Sequence, residues 1–343
     1  MDRIKSKKQP PRLDKPVRIT EQVWPRGTPP HVSIWCITYN HINFIRDAIN
    51  GFLTQETTFP VEIFIHDDAS TDGTADIVRE YAAKYPGLFW TVVQTENQCS
   101  RGNARVLFDY LAKQRGEYVA LCEGDDYWTD PCKLQKQREL MASNRAYTLC
   151  HHKVVYKDHA TDTTIIEFPD EKDRVHGISG ERLVKYNFIQ TCSAMLSMRH
   201  IRSANLEILL SGLKLGDWPL FVALSQDRQI AYIDETMAVY RLHANSYWQT
   251  MPLSLREKHC SDMTHRLASR LPLNLALAWW MKISFPFRLA VDEHMIAGSP
   301  IAFSKAWWTL IAFAWNVRSF FVLLSIYQGL RRMPRCLINK SIR

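Results

Sequence analysis

Apolar and polar positions alternate between two periods along the first half of the chain. Val32–Thr38 is a short β-rich apolar run, the pattern of a strand buried on both faces. Ile42–Gln55 then places Ile42, Ile45, Ile49, Phe52 and Leu53 at helical spacing. The same pair of signals recurs. Val61–Ile65 predicts a strand and Asp72–Lys84 a helix, with Ile77, Val78 and Tyr81 on one side. Phe89–Gln94 predicts a third strand, Asn103–Gln114 a third helix and Tyr118–Cys122 a fourth strand. Strands alternating with helices about a dozen residues long imply βαβ units and a parallel sheet with both faces covered, an α/β fold.

The second half is less regular. Ala146–Tyr156 and Thr163–Phe168 read as antiparallel strands, and Ser193–Met198 as another. His200–Leu210 reads as a helix, Leu213–Leu224 as a segment running into one, and Ile230–Ile233 and Met237–Leu242 as two strands around Asp234-Glu235. Residues 1–30 carry six prolines and no periodicity, which predicts a flexible lead-in; 31–248 forms the α/β body; 249–343 is helical in pattern and rich in Trp and Phe.

In parallel sheets, ligands bind beyond the carboxyl ends of the strands. Three polar clusters fall there: Thr38-Tyr39-Asn40 after the first strand, Asp67-Asp68 after the second and Asp125-Asp126 after the fourth. Neither G-x-G-x-x-G nor G-x-x-x-x-G-K-[ST] occurs, so no dinucleotide fingerprint or P-loop is present to hold phosphate.

Charge refines the picture. The net charge is +8, but residues 1–18 and 329–343 each carry +5, leaving the body near −2. Basic ends on a near-neutral body suit an anionic membrane surface, or are simply solvated; a nucleic-acid groove would need basic residues across the body. The eight cysteines form no C-x-x-C pair, and Cys36, Cys122 and Cys150 lie in apolar runs, as small buried hydrophobes do. With no signal peptide in the polar opening segment, the cytoplasm is the expected compartment. Ala306–Gln328 is long enough to span a bilayer, yet Asn316 and Arg318 interrupt it. Its broad apolar face and the basic residues after it describe a helix lying in the membrane interface, with Leu275–Phe287 as a partner. Packing of both helices on the catalytic domain or on a dimer partner is the alternative.

Three carboxylate sites and a histidine carry candidate chemistry. Asp125 and Asp126 could share a Mg²⁺ or Mn²⁺ with a diphosphate, since hard cations take oxygen ligands from both; a solvated turn or a helix cap would explain them as well. Asp68 could accept a hydrogen bond from a nucleobase N–H, or Asp67 and Asp68 could cap the next helix. Asp217 could take a proton from an attacking hydroxyl, or cap the helix containing Pro219. His243 could be a further metal ligand, a diphosphate contact or a packed side chain.

Six segments together resemble family 2 glycosyltransferases with the GT-A (Rossmann-like) fold: VSIWCITYNH at 32–41, IFIHDDASTDGT at 63–74, EYVALCEGDDYWTDPCKLQKQ at 117–137, TCSAMLSMR at 191–199, LGDWPLFVAL at 215–224 and VYRLHANS at 239–246. The third is similar to a bacterial subgroup that builds cell-surface polysaccharides. The resemblance implies a GT-A catalytic domain over 31–248 followed by a helical, membrane-associated extension. It implies that Thr38, Tyr39, Asn40, Asp68 and Asp125 bind the nucleotide-sugar, that Asp126, Asp125 and His243 hold the metal, and that Asp217 is the catalytic base. The family usually has Glu-Asp where this chain has Gly216-Asp217, which puts acceptor contacts of the missing Glu in doubt. The implied reaction is an inverting transfer from a nucleotide-sugar, UDP-linked by family default, to a glycan or lipid-linked acceptor at the inner face of the cell membrane. No nucleic-acid partner is implied, and a homodimer is possible. A nucleotidyltransferase making nucleotide-sugars, or a non-catalytic membrane-bound partner with this fold, are the competing readings; the first would need a Gly-rich basic loop after the first strand, which Thr38-Tyr39-Asn40-His41 lacks.

Overall fold

The computed structural model describes residues 11–101, 105–184, 186–204, 212–213, 216–225 and 228–271. The two C-terminal helices expected at 275–287 and 306–328, and the basic tail after them, lie outside these residues, as do the first ten residues and most of the helix expected at 200–210. The chain divides into two compact units, one of Met1–Gly212 and Gly216–Ala244, the other of Leu213–Leu215 and Asn245–Arg343. In the second, the described residues form helices at Tyr247–Thr250 and Leu253–Arg270, the latter burying Met263 and Leu267. Among the described residues no helix is long and apolar enough to cross a membrane.

The first unit is built on a mixed sheet. In chain order its strands are β1 (Val17–Arg18), β2 (Val32–Thr38), β3 (Glu56–Thr57), β4 (Val61–Asp67), β5 (Phe89–Val93), β6 (Tyr118–Glu123), β7 (Tyr127–Trp128), β8 (Tyr147–Asp158), β9 (Thr164–Phe168), β10 (Ile178–Ser179), β11 (Met195–Ser197) and β12 (Gln229–Leu242). β1 and β3 pair only with each other; the main sheet runs β10-β12-β8-β11-β6-β2-β4-β5, with β7 on β12 and β9 on β8. The helices are α1 (Ile45–Leu53), α2 (Thr74–Lys84), α3 (Arg105–Ala112), α4 (Lys133–Ser143), α5 (Met198–Ser203) and α6 (Asp217–Ser225).

The four strands β5, β4, β2 and β6 are mutually parallel. β2, β4 and β6 are largely apolar and buried, with Ile34, Ile63, Phe64, Ile65 and Ala120 fully so, whereas β5 at the edge is half-buried. Their register decides where the site lies. Thr38 pairs with Asp67, and Ile37 with Glu123, so three strands end at one level. β11 then runs antiparallel between β6 and β8, while β12 lies parallel to β8.

Two elements differ from the sequence pattern. β4 and β6 run one or two residues further than expected, so Asp67 and Glu123 are strand residues rather than loop residues. The two strands expected around Asp234-Glu235 are one strand, β12, whose pairing with β8 shifts register between Ile233 and Ala238. The acids that looked like a turn instead face outward at this irregularity, pairing with Lys153 and Lys136.

Candidate active site

The rim of the parallel sheet is drawn together by side chains bridging one strand end to the next. Asn40, in the left-handed region at φ 54°, accepts a hydrogen bond from Thr71 N–H at 2.8 Å, and its own N–H donates to Ser70 Oγ at 2.8 Å. Asp72 accepts from Thr74 N–H and Oγ1 with one oxygen and from Ile42 N–H with the other. Burial would raise its pKa, but those hydrogen bonds outweigh it and hold it below the usual range. Asp72 therefore serves the start of α2, which leaves Asp67 and Asp68 available for other work.

Asp68 is buried, and both its oxygens accept backbone N–H groups, from Gln98 at 2.8 Å and Cys99 at 3.0 Å. It thereby ties the 98–99 loop to the end of β4. Asp67 accepts from Ser70 N–H at 2.9 Å, while its second oxygen and the neighbouring Thr38 Oγ1 are buried and meet no hydrogen-bond partner among the described residues. Tyr39 stands 43% exposed beside them. Thr38, Tyr39, Asn40 and Asp68 thus sit together at the ends of β2 and β4.

After β6 the chain turns sharply at Gly124, whose N–H donates to Ile37 O at 2.9 Å. A Cβ at Gly124 would fall 2.5 Å from Thr38 Oγ1, so only glycine lets the loop lie this close to β2. The turn gathers Glu123, Asp125 and Asp126, each presenting a carboxylate oxygen within 4.8 Å of the others. Asp126 Oδ1 accepts the backbone N–H of Arg241 on β12 at 2.9 Å, and the buried Cys192 thiol interacts with the same carboxyl. Asp125 Oδ2 lies 3.0 Å from His243 Nε2 and 3.6 Å from His41 Nε2, and its Oδ1 is buried without a partner among the described residues. Arg241 also donates through Nη1 to the backbone carbonyl of Asp125, pairs with Asp47 on α1, and stacks over Tyr127 with 4.5 Å to the ring centroid.

The electrostatics follow from this crowding. Burial, then Asp125 and Glu123, push Asp126 well above the usual carboxylate range. Burial, then Asp125 and Asp217, push Glu123 up to about 8. Burial works on Asp125 too, but the hydrogen bond from His243 and the proximity of His41 outweigh it and keep Asp125 low. Like charges packed out of water, with an orphaned oxygen on Asp125, are the conditions that a divalent cation relieves. The donor set is all oxygen, which fits Mg²⁺ or Mn²⁺.

Asp217 opens α6. Thr191 Oγ1, in the turn before β11, donates to its Oδ2 at 3.3 Å. Burial raises its pKa, against hydrogen bonds from Trp218 N–H, Thr191 and Asn187. Asp217 is near enough to act electrostatically on the buried Glu123.

The other candidates read from the sequence assemble at one rim. Three further residues join them. Glu123 completes the acidic cluster, its signal being its place two residues before Asp125. His41 approaches Asp125, and Arg241 fastens the acid loop to β12; both sit inside quoted motifs with nothing in their spacing to mark them.

Four parallel strands with an acidic cluster at their carboxyl ends are an arrangement in which α/β folds bind ligands at the strand ends. The model of the family "Glycosyl transferase family 2" matches residues 33–202. An uncharacterized protein of Mycobacterium tuberculosis is 41% identical over 248 residues, covering 72% of this chain and 68% of its own. The putative teichuronic acid biosynthesis glycosyltransferase TuaG of Bacillus subtilis is 27% identical, covering 63% of this chain and 81% of its own. Among solved structures, S. aureus TarS 1-349 in complex with UDP-GlcNAc superposes with a TM-score of 0.59 at 16% identity, over 80% of this chain and 79% of TarS 1-349. The mannosyltransferase PcManGT of Pyrobaculum calidifontis, in complex with GDP-Man and Mn²⁺, gives 0.53 at 18% identity, over 91% and 92%. The chain belongs to glycosyl transferase family 2 and is a glycosyltransferase.

Proposed function

We propose that this glycosyltransferase moves a sugar from a nucleotide-diphosphate donor to an acceptor hydroxyl by a single inverting displacement, in the synthesis of a bacterial surface polysaccharide. The observation that carries the reading is the trio Glu123, Asp125 and Asp126, with a buried, unpartnered oxygen on Asp125 and Asp217 near enough to act electrostatically on Glu123. Glu123, Asp125 and Asp126 would hold a Mn²⁺ or Mg²⁺, which supplies the positive charge that lets a diphosphate approach carboxylates and leave. Arg241 keeps Asp126 in place, and His243, read from the sequence as a metal ligand, in this reading braces Asp125 through Nε2 instead. Thr38, Tyr39, Asn40 and Asp68 form the wall on which the nucleotide lies, Asp68 by ordering the 98–99 loop. Asp217 accepts the acceptor's proton; its raised pKa makes it a stronger base near neutral pH.

The polysaccharide assignment is supported by TuaG and by a β-1,3-glucosyltransferase of Escherichia coli, WfaP, 24% identical over 216 residues, whose name gives a diphosphoundecaprenol-linked acceptor. A lipid-linked acceptor suits the Trp-rich segment and basic tail of the C-terminal sequence, which would hold the enzyme peripherally on the inner membrane face. Fractionation separates the alternatives: a peripheral protein leaves the membrane in high salt, whereas a spanning one needs detergent.

The test of the activity is a panel of nucleotide-sugars incubated with the protein and Mn²⁺, with and without a lipid-linked acceptor, measuring released nucleoside diphosphate. Acceptor-dependent release from one donor, abolished by EDTA, is expected. Release of pyrophosphate from a nucleoside triphosphate and a sugar phosphate would instead identify a nucleotidyltransferase.

A further inference from the structure

Asp125 is held from one side only. His243, just past the end of β12, places Nε2 at 3.0 Å from Oδ2. His41, just past the end of β2, places its Nε2 at 3.6 Å from the same oxygen, within a few tenths of an ångström of hydrogen-bonding reach. The two rings stand edge to face at 90°, with centroids 6.3 Å apart, and both rest on Phe44, at 6.2 Å for His41 and 4.5 Å for His243. The backbone of His41 is fixed independently: its N–H donates to Thr74 Oγ1, at the start of α2, at 2.9 Å. His41 is thus aimed at Asp125 by three elements, and it is only 16% exposed. The other oxygen of the carboxylate, Oδ1, is buried without a partner among the described residues, and Asp125 is one of the trio of acids.

We propose that His41 is a positioning residue, which with His243 brackets the outer oxygen of Asp125 so that Oδ1 is presented to the cation. This rests on the cation reading given under Proposed function. A carboxylate braced on one oxygen loses the rotational freedom that binding would otherwise have to freeze out. Removing such a brace from a metal ligand lowers metal affinity about 10–100-fold. The bracket does not make His41 a ligand: its ring nitrogen faces Oδ2, the oxygen that His243 already holds, and not the unpartnered Oδ1.

The test is Mn²⁺ binding to the full chain, followed by loss of the free-ion EPR signal, for wild type, His41→Ala and His41→Gln. Expected are an about 10–100-fold weaker Mn²⁺ affinity in His41→Ala at unchanged thermal midpoint, and recovery of most of it in His41→Gln, whose amide N–H₂ reaches the position of Nε2. Pulsed EPR of the bound ion should show no directly bonded nitrogen from His41. Wild-type affinity in His41→Ala overturns the proposal, as does a nitrogen coupling that His41→Ala removes. Equal loss in both variants together with a lowered midpoint assigns His41 to packing instead. If wild type itself binds no Mn²⁺, the cation reading fails and this proposal falls with it.

Discussion

Replacing Glu123 with Gln should make the metal-free protein more stable while weakening its hold on a cation. Burial first, then Asp125 and Asp217, push the Glu123 carboxyl from an ordinary value of 4.5 to about 8. The folded protein therefore keeps a proton that the unfolded chain has already released between these two values. With more protons bound to the folded state, stability falls as pH rises through that window. One pKa unit is about 1.36 kcal/mol, so by neutral pH the ionised carboxyl costs the metal-free fold on the order of a few kcal/mol. Glutamine keeps the shape and carries no titrating proton. In urea denaturation with EDTA, wild type and Glu123→Gln should differ by under about 1 kcal/mol near pH ~5. The variant should gain on wild type by up to about 1.4 kcal/mol per pH unit toward pH ~8. Added Mn²⁺ should stabilise wild type increasingly as pH rises, because binding displaces the held proton, and should do much less for the variant. A difference between the two proteins that stays constant from pH ~5 to ~8 would refute the reasoning.

Asp217→Asn keeps the hydrogen-bonding shape but cannot take a proton; transfer should fall by about 10²–10⁴-fold with donor affinity nearly unchanged, read by steady-state kinetics and donor titration. Near-normal turnover in that variant would remove Asp217 from the role. Gly124→Ala would drive a methyl to 2.5 Å from Thr38 Oγ1 and 2.7 Å from Thr38 Cβ, so a loss of about 1–3 kcal/mol in denaturant titration is expected, with Mn²⁺ binding weakened as the acid loop lifts from β2. Unchanged stability there would mean that the loop is not held at this distance.

How far the sequence foretells this molecule depends on how local each feature is. Val32–Thr38 and Val61–Ile65 announce themselves because a strand covered on both faces is mostly apolar; the polar residues inside them, Ser33 and Glu62, are buried and hydrogen-bonded to each other. Their carboxyl ends then mark the rim, and Asp125-Asp126 can be read as part of a site from that position alone. Asp217 cannot: its spacing suits an N-cap equally well, and only the resemblance to a family singles it out. Asp234-Glu235 misleads because a pair of acids between apolar runs looks like a turn, whereas here the strand continues through a register shift and the acids reach two lysines. Glu123 stands two residues before Asp125, but that position does not by itself tell a strand-end residue from a member of the cluster. Its role depends on like charges brought close by the turn at Gly124 and on Asp217, far along the chain. His41 and Arg241 belong to the same class: a histidine and an arginine are ordinary in sequence, and what distinguishes them is which carboxylate the fold sets beside them.

The most direct measurement is an anomalous difference map from crystals grown with Mn²⁺ and a nucleoside diphosphate. The account predicts a single strong peak at the carboxyl rim, roughly 2.0–2.6 Å from carboxylate oxygens of Asp125, Asp126 or Glu123, with the diphosphate on its open side. A cation bound elsewhere, or a diphosphate seated with those oxygens still facing no ion, would contradict it.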